Sequence, residues 1–316
     1  MANILTIGEA MGLFVSKEEG PLKSVKEFRR LVSGAEINVS IGVTRLGHKA
    51  YYFTQLGKDP IGDNIIEFLK SENINTNNIM QVKDYNTGIQ LKGKTKEGDP
   101  EIAYYRKNSA ASQMTLDNIK SIDFSNIDLL HITGIFMGLN NQTYEIVYNL
   151  VKKAKENNII VTFDPNIRES LWESREIMIE RINAIGCICD YILPGQNEGE
   201  ILTGFRNVDE IAKFYLDYGV KNVIIKLGEK GSAFFIKEKG EIKTTLHPGF
   251  KVDKIIDTVG AGDGFASGVI TGILDNLSDY DILERANAIG AIQITHQSDN
   301  EGLPTIDELK EFIKNR

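Results

Sequence analysis

The densest chemistry in the chain lies in Asp257-Thr258-Val259-Gly260-Ala261-Gly262-Asp263-Gly264-Phe265-Ala266-Ser267-Gly268. Glycines at 260, 262 and 264 allow positive φ and a close approach of backbone to ligand, and an apolar helix of small residues opens at Asp263. Successive amides in such a turn form a hole for an anion. A carboxylate beside that hole would repel a stored anion, but it suits a base that takes the proton from a hydroxyl attacking phosphorus. The same residues equally fit a turn that packs a helix onto a sheet, with Asp263 favoured there by the helix dipole. Spacing alone leaves both readings open.

A second phosphate pattern is rejected. Gly88-Ile89-Gln90-Leu91-Lys92-Gly93-Lys94-Thr95 satisfies G-x4-G-K-[ST], but a phosphate loop must run straight into a helix. Lys96-Glu97-Gly98-Asp99-Pro100 follows instead, and its Gly and Pro cannot form first helical turns. A hairpin is expected. Cys187 and Cys189 are the two cysteines, too few for a four-ligand metal cluster, and are read as small apolar residues entering a buried strand. His131, His247 and the sole tryptophan, Trp172, are read as packing residues.

These residues must be positioned by elements that alternate along the chain. Ile4–Ile7, Leu129–Ile132, Ile159–Phe163, Tyr191–Leu193 and Val223–Leu227 are near-continuous apolar runs, as expected of parallel strands covered on both faces. Asn141–Glu156, Ser174–Ile185, Val208–Tyr218, Gly262–Leu274, Tyr280–Thr295 and Thr305–Lys314 carry helical spacing. The predicted body is a doubly wound, mostly parallel sheet flanked by helices. Segments near 10–33 and 87–112 break the rhythm and predict a small antiparallel lid, on a single domain spanning 1–316. With 36 Lys+Arg against 44 Asp+Glu, the net charge of −8 argues against a general nucleic-acid binder. No apolar run of membrane-spanning length occurs, so no membrane partner and a cytoplasmic location are expected. Exposed lid edges predict a homo-oligomer.

Asp257 to Asp263 resembles the C-terminal signature of the ribokinase-like, or PfkB, carbohydrate kinases. In chain order, Gly34-Ala35-Glu36-Ile37-Asn38-Val39 resembles their sugar-binding segment, and Leu56-Gly57-Lys58-Asp59-Pro60-Ile61-Gly62 their N-terminal signature. Asp164-Pro165-Asn166-Ile167-Arg168 resembles their D-x-N-x-R segment, Asn197-Glu198-Gly199-Glu200 their N-x-x-E motif, and Lys226-Leu227-Gly228-Glu229-Lys230-Gly231 their nucleotide-loop strand. The resemblance implies a ribokinase-like fold and ATP with Mg2+ as cofactors, and leaves open whether a monovalent cation assists. Asp263 would be the base, with the amides of Gly260, Ala261 and Gly262 stabilising the transferred phosphoryl. Thr258, Asn197, Lys226, Gly228 and Gly231 would belong to the nucleotide site, with Glu200 reaching Mg2+ through water.

Within the family, Tyr104-Tyr105-Arg106-Lys107 and the late acid Asp299 are most similar to kinases of 2-keto-3-deoxygluconate. The implied reaction is ATP-dependent phosphorylation of that sugar acid to its 6-phosphate. Gly34, Asn38, Gln90, Tyr104, Arg106, Arg168 and Asp299 would form the acceptor site. Two arginines suit an acidic sugar because guanidinium binds carboxylate bidentately. Gln90 departs from the tyrosine that relatives often carry there. A fructokinase or other neutral-sugar or nucleoside kinase is the alternative within the fold, and a nucleotide-binding module without catalysis the alternative outside it, disfavoured by the presence of Asp263.

Overall fold

The computed structural model describes residues 1–95 and 100–316, so the expected turn at 96–99 lies outside the described residues. The strands, in chain order, are β1 (Asn3–Ile7), β2 (Met11–Ser16), β3 (Phe28–Ser33), β4 (Lys49–Gly57), β5 (Ile79–Val82), β6 (Gly88–Lys92), β7 (Ile102–Tyr105), β8 (Leu129–Thr133), β9 (Ile160–Asp164), β10 (Tyr191–Ile192), β11 (Asn222–Lys226), β12 (Ser232–Glu238) and β13 (Glu241–His247). Among the described residues, nine of them form one sheet in the order β13-β12-β11-β10-β9-β8-β1-β4-β5. Pairing is parallel from β5 through β11 and turns antiparallel only at the β12 and β13 edge.

The apolar runs become central strands because both faces are covered. Leu5, Leu130, Val161 and Val223 pack into one core with the helices Asn141–Glu156, Arg175–Gly186 and Val208–Asp217. Ile4, Leu129 and Ile224 pack into another, against Val39 and Val43 of the helix Ala35–Arg45 and Phe265, Val269 and Ile270 of the helix Ala261–Leu274. Burial of such side chains contributes about 1.5–3 kcal/mol each, so the period-2 alternation fixes the register.

The longest strand, β4, is the element least evident in the sequence. Its Thr54 and Gln55 interrupt the apolar run, yet both are buried, with Thr54 Oγ1 donating to the Gly8 carbonyl at 2.7 Å and Gln55 Nε2 to that of Ala110 at 2.7 Å. Helices Ala35–Arg45 and Pro60–Ser71 and the edge strands β5, β12 and β13 likewise add to the elements expected.

A second, four-stranded sheet has the order β3-β2-β6-β7. Its outer pairings are antiparallel, and its two halves join through a parallel β2–β6 seam. β6 therefore continues as a strand paired to β7, as a hairpin requires and a phosphate loop does not. In register, Leu31, Leu13, Gln90 and Tyr104 form one row across this sheet, and Arg29, Val15, Lys92 and Ile102 the next row on the same face.

Candidate active site

The C-terminal ends of the parallel strands are where open α/β sheets bind ligands, and a cavity of about 850 Å3 opens there beneath the small sheet. On its floor Gly260 adopts φ +81° and caps the helix Ala261–Leu274. A Cβ at Gly260 would lie 2.0 Å from the Asp299 carbonyl oxygen, so only glycine fits. Asp263 follows in the first helical turn and is buried. Its Oδ2 accepts from Asn38 Nδ2 at 2.8 Å and its Oδ1 from Asn166 Nδ2 at 3.4 Å. Burial pushes its carboxyl up to about 7 although the Asn38 hydrogen bond favours the charged form. A carboxylate held so, beside the open N-terminus of a helix, is placed to accept a proton near neutral pH.

Charge surrounds it in opposed pairs. Lys226, the last residue of β11, donates to both oxygens of Asp164 at 2.9 and 2.7 Å and stands 3.9 Å from Glu198 Oε2. Burial alone would push this ammonium down, but Asp164 and Glu198 outweigh it and hold it above its ordinary value. Across the cavity, Arg106 Nε donates to Glu9 Oε2 at 2.6 Å, its Nη2 also meets that oxygen, and Ser109 Oγ donates to Glu9 Oε1. Glu9 is inaccessible to solvent, so Arg106 is already neutralised by a buried acid. Arg168 is exposed, and its guanidinium donates to the Ile167 carbonyl at 2.9 Å.

The expected residues divide accordingly. Gly34, Asn38, Gln90, Tyr104, Arg106, Arg168, Lys226, Thr258, Gly260, Gly262, Asp263 and Asp299 all line the cavity. Tyr104 does so while its neighbour Tyr105 does not, as strand alternation requires. Gly34, with φ +154° and its Cβ position 2.8 Å from the Glu9 carbonyl oxygen, brings backbone to the wall. Asn38 is engaged by Asp263 and, through Oδ1, by Asn300 at 3.1 Å, so its amide positions the acid rather than standing free for a sugar hydroxyl. Asp299 accepts from Ser33 Oγ at 2.7 Å and leaves Oδ1 buried without a partner; burial raises its carboxyl. The Ala261 amide is directed to the Thr258 carbonyl at 3.4 Å. Gly228 and Gly231 shape the turn after β11, and with Asn197 and Glu200 they lie outside the cavity wall.

Glu200, expected to reach Mg2+ through water, is half-exposed. Its carboxylate accepts from the exposed Arg206 at 3.0 Å, whereas Glu198 faces inward, accepting from Ile167 N at 2.8 Å and Gly195 N at 2.7 Å. Two residues on a helix differ by about 200° in direction, and neither Glu198 nor Glu200 lines the cavity. Glu9, Glu36, Asp164 and Glu198 are the acids that sequence reasoning did not assign. The signal available was position, since Asp164 ends the parallel strand β9 and Glu9 follows β1 by two residues. Glu36 is buried within an apolar helix, accepts from Thr133 Oγ1 at 2.5 Å, and is pushed up to about 7 by that burial against the hydroxyl's opposing effect.

His131 and His247 are packing residues as expected: His131 Nδ1 meets Thr162 Oγ1 at 2.9 Å inside the sheet, and the His247 ring packs in tilted contact with Phe250 and Tyr280. Trp172 lies against Gly138. Burial pushes the Cys187 thiol up to about 11 and that of Cys189 higher still. No group of three or more His, Cys, Asp or Glu suited to a metal ion occurs among the described residues, and no helix among them is long and apolar enough to cross a membrane.

The family model for the pfkB family carbohydrate kinases matches residues 1–306. The chain belongs to that family. It is 41% identical over 314 residues to the 2-dehydro-3-deoxygluconokinase of Bacillus subtilis (strain 168), covering 98% of this chain and 94% of the relative. The crystal structure of a PfkB protein from Polaromonas sp. JS666 superposes with a TM-score of 0.89 at 35% identity, over 98% of this chain and 99% of that one. An uncharacterized sugar kinase from Pyrococcus horikoshii, solved in complex with ATP, superposes with a TM-score of 0.79 at 28% identity, over 98% and 99% of the two chains. As a pfkB family member the protein carries its family's mostly parallel sheet flanked by helices, together with the small second sheet.

Proposed function

We propose that the protein transfers the γ-phosphoryl group of ATP to a hydroxyl of a sugar acid, 2-keto-3-deoxygluconate, giving its 6-phosphate. The observation that carries this reading is the placement of Asp263: a buried carboxylate poised near neutrality, at the mouth of a Gly-rich helix N-terminus, in the same cavity that Arg168 enters. The name of the Bacillus subtilis relative supports the substrate, because 2-dehydro-3-deoxygluconate is the same sugar acid.

In this reading Asn38 and Asn166 orient the Asp263 carboxylate toward the acceptor hydroxyl. As the hydroxyl oxygen bonds to the γ-phosphorus and the bond to the β-phosphate oxygen breaks, Asp263 takes the proton. The amides near Gly260 and Gly262 face the negative charge of the transferred group, where fixed donors outperform water. Lys226, held by Asp164, adds a fixed cation on the same floor. Mg2+, when bound with ATP, would neutralise charge on the phosphates. Asp164, which lines the cavity, is the acid at hand on its floor, and Glu200 would reach the ion through water. Thr258 lies on the nucleotide side with the anion turn, and Gly228 and Gly231 shape the turn behind it. Arg168 binds the acceptor carboxylate, with Gln90, Tyr104 and Asp299 along the sugar and Gly34 as its backbone wall.

The whole chain, 1–316, acts as one kinase unit, with the small sheet as the lid over the acceptor. Asp263→Asn tests the reading. Turnover should fall about 10²- to 10⁴-fold, the scale of a lost general base, while calorimetric binding of an ATP analogue stays near wild type. A folded Asp263→Asn enzyme with wild-type turnover would remove Asp263 from this role.

A further inference from the structure

Among the described residues, Lys92 is the cation of the small sheet that pairs with an acid of the Gly-rich turn, and the catalytic reading does not use it. It ends β6, two residues after Gln90 and on the same face, and its side chain is only 8% exposed. Its Nζ donates to Asp257 Oδ2 at 2.6 Å. The other oxygen, Asp257 Oδ1, accepts from the Val259 amide at 3.1 Å, one residue before the left-handed Gly260. The same stretch is tied from behind by Gln293 Nε2, which donates to the carbonyls of Val259 at 3.3 Å and Ser298 at 2.7 Å. One carboxylate therefore holds the backbone of the turn with one oxygen and the small sheet with the other.

A buried ion pair contributes little net stability and is often replaceable by apolar packing. Its use here is geometric. The strand that presents Gln90 to the acceptor cavity carries, one row further along, the ammonium that fixes the turn facing the phosphates. We propose that Lys92 is a positioning residue: its ammonium, acting through Asp257, sets the Gly-rich turn when the small sheet is seated, and so couples acceptor binding to nucleotide binding. The inference rests on the kinase reading for its ligands. Beneath this end of the sheet lies a second cavity of about 350 Å3, bounded by Lys92, Asp257 and Asp299, so loss of the ammonium leaves room for a small cation beside Asp257.

The test compares wild type with Lys92→Met, Lys92→Arg, Asp257→Asn and the Lys92→Met/Asp257→Asn pair, each checked for a wild-type melting profile. Binding of a non-hydrolysable ATP analogue is measured by calorimetry with and without 2-keto-3-deoxygluconate, beside kcat and both KM values. Lys92→Met should lower kcat roughly 10- to 100-fold and abolish the mutual tightening of the two ligands, so that each KM measured with the other ligand saturating rises by the coupling lost, while binding of either ligand alone shifts less than about threefold. Lys92→Arg should recover most of the rate, and the double variant should lose no more than the worse single one. In Lys92→Ala, ammonium or potassium ions should raise kcat more than they do in wild type. Undiminished coupling and rate in Lys92→Met, or strictly additive losses in the pair, would overturn the proposal. Should Lys92→Met fail to fold, Lys92→Gln and Asp257→Asn carry the same comparison. A wild type that binds both ligands with coupling yet phosphorylates no sugar would sink the kinase reading while leaving this inference standing.

Discussion

Replacing each arginine of the acceptor cavity by alanine should have two different consequences, although the sequence presents them as a pair. Arg168 is exposed and bonds only its neighbour's carbonyl in the protein, so Arg168→Ala removes no internal partner. Its loss should leave the fold intact and show mainly in acceptor binding, with the Asp263 carboxyl moving further up once the Arg168 charge that lowers it is gone. A charge-assisted hydrogen bond contributes about 1.5–3 kcal/mol, so kcat/KM for 2-keto-3-deoxygluconate should fall roughly 10- to 150-fold. For a neutral hexose the loss should be under about threefold, because there is no carboxylate to hold. Arg106→Ala instead strands the Glu9 carboxylate, which has no solvent access and would keep only the Ser109 hydroxyl. Removing one partner of a buried ion pair costs about 3–5 kcal/mol. That variant should melt several degrees lower and lose activity toward charged and neutral acceptors alike. Thermal melts and kcat/KM on both acceptors, run side by side for the two variants, separate the roles. If Arg106→Ala keeps its melting temperature and loses only the acid, while Arg168→Ala loses both acceptors equally, the reasoning from partners is refuted.

With Asp263 pushed up to about 7, the free enzyme gains its base as pH rises, so log kcat/KM should climb through about pH 6–7 and level above it; a flat profile from pH 5 to 8 would contradict the assignment. Glu36 is likewise raised, to about 7 from 4.5, so its contribution to stability is present below about pH 4.5 and is lost as pH rises to about 7. Glu36→Gln should remove that loss, amounting to as much as about 3 kcal/mol, and urea unfolding at pH 5 and pH 8 should show the variant overtaking wild type at the higher pH. Asp299→Ala, which frees Ser33 and removes the buried orphan oxygen, should raise the acceptor KM with little change in that for ATP; equal shifts in both would place Asp299 outside the acceptor site.

What was legible in the sequence was local. The helix Asn141–Glu156 announces itself by the Asn140 and Thr143 capping box and by Ile146, Val147, Leu150 and Val151 on one face. The turn around Gly260 is legible because its glycines and its acid are contiguous. What stayed hidden depends on partners far away in the chain. Arg106 looks like a free cation until Glu9, 97 residues earlier, is seen to hold it. Asn38 looks like a sugar ligand until Asp263, 225 residues later, takes its amide. Strand β4 escaped because its polar residues are satisfied by carbonyls of other segments, which no periodicity records. Glu198 and Glu200 differ only in helical phase, and the phase was set by the Gly195 cap and by Ile167.

The central claim is that this cavity phosphorylates a sugar acid with ATP, and one assay meets it directly. ADP release by the wild-type enzyme is followed with MgATP over 2-keto-3-deoxygluconate, fructose, other neutral hexoses and nucleosides at equal concentrations, and the product of the best acceptor is examined by phosphorus NMR. 2-Keto-3-deoxygluconate should give the highest kcat/KM, with the new phosphate on its C6 oxygen. A preference for fructose or a nucleoside, with the sugar acid turned over no faster than background, would contradict it.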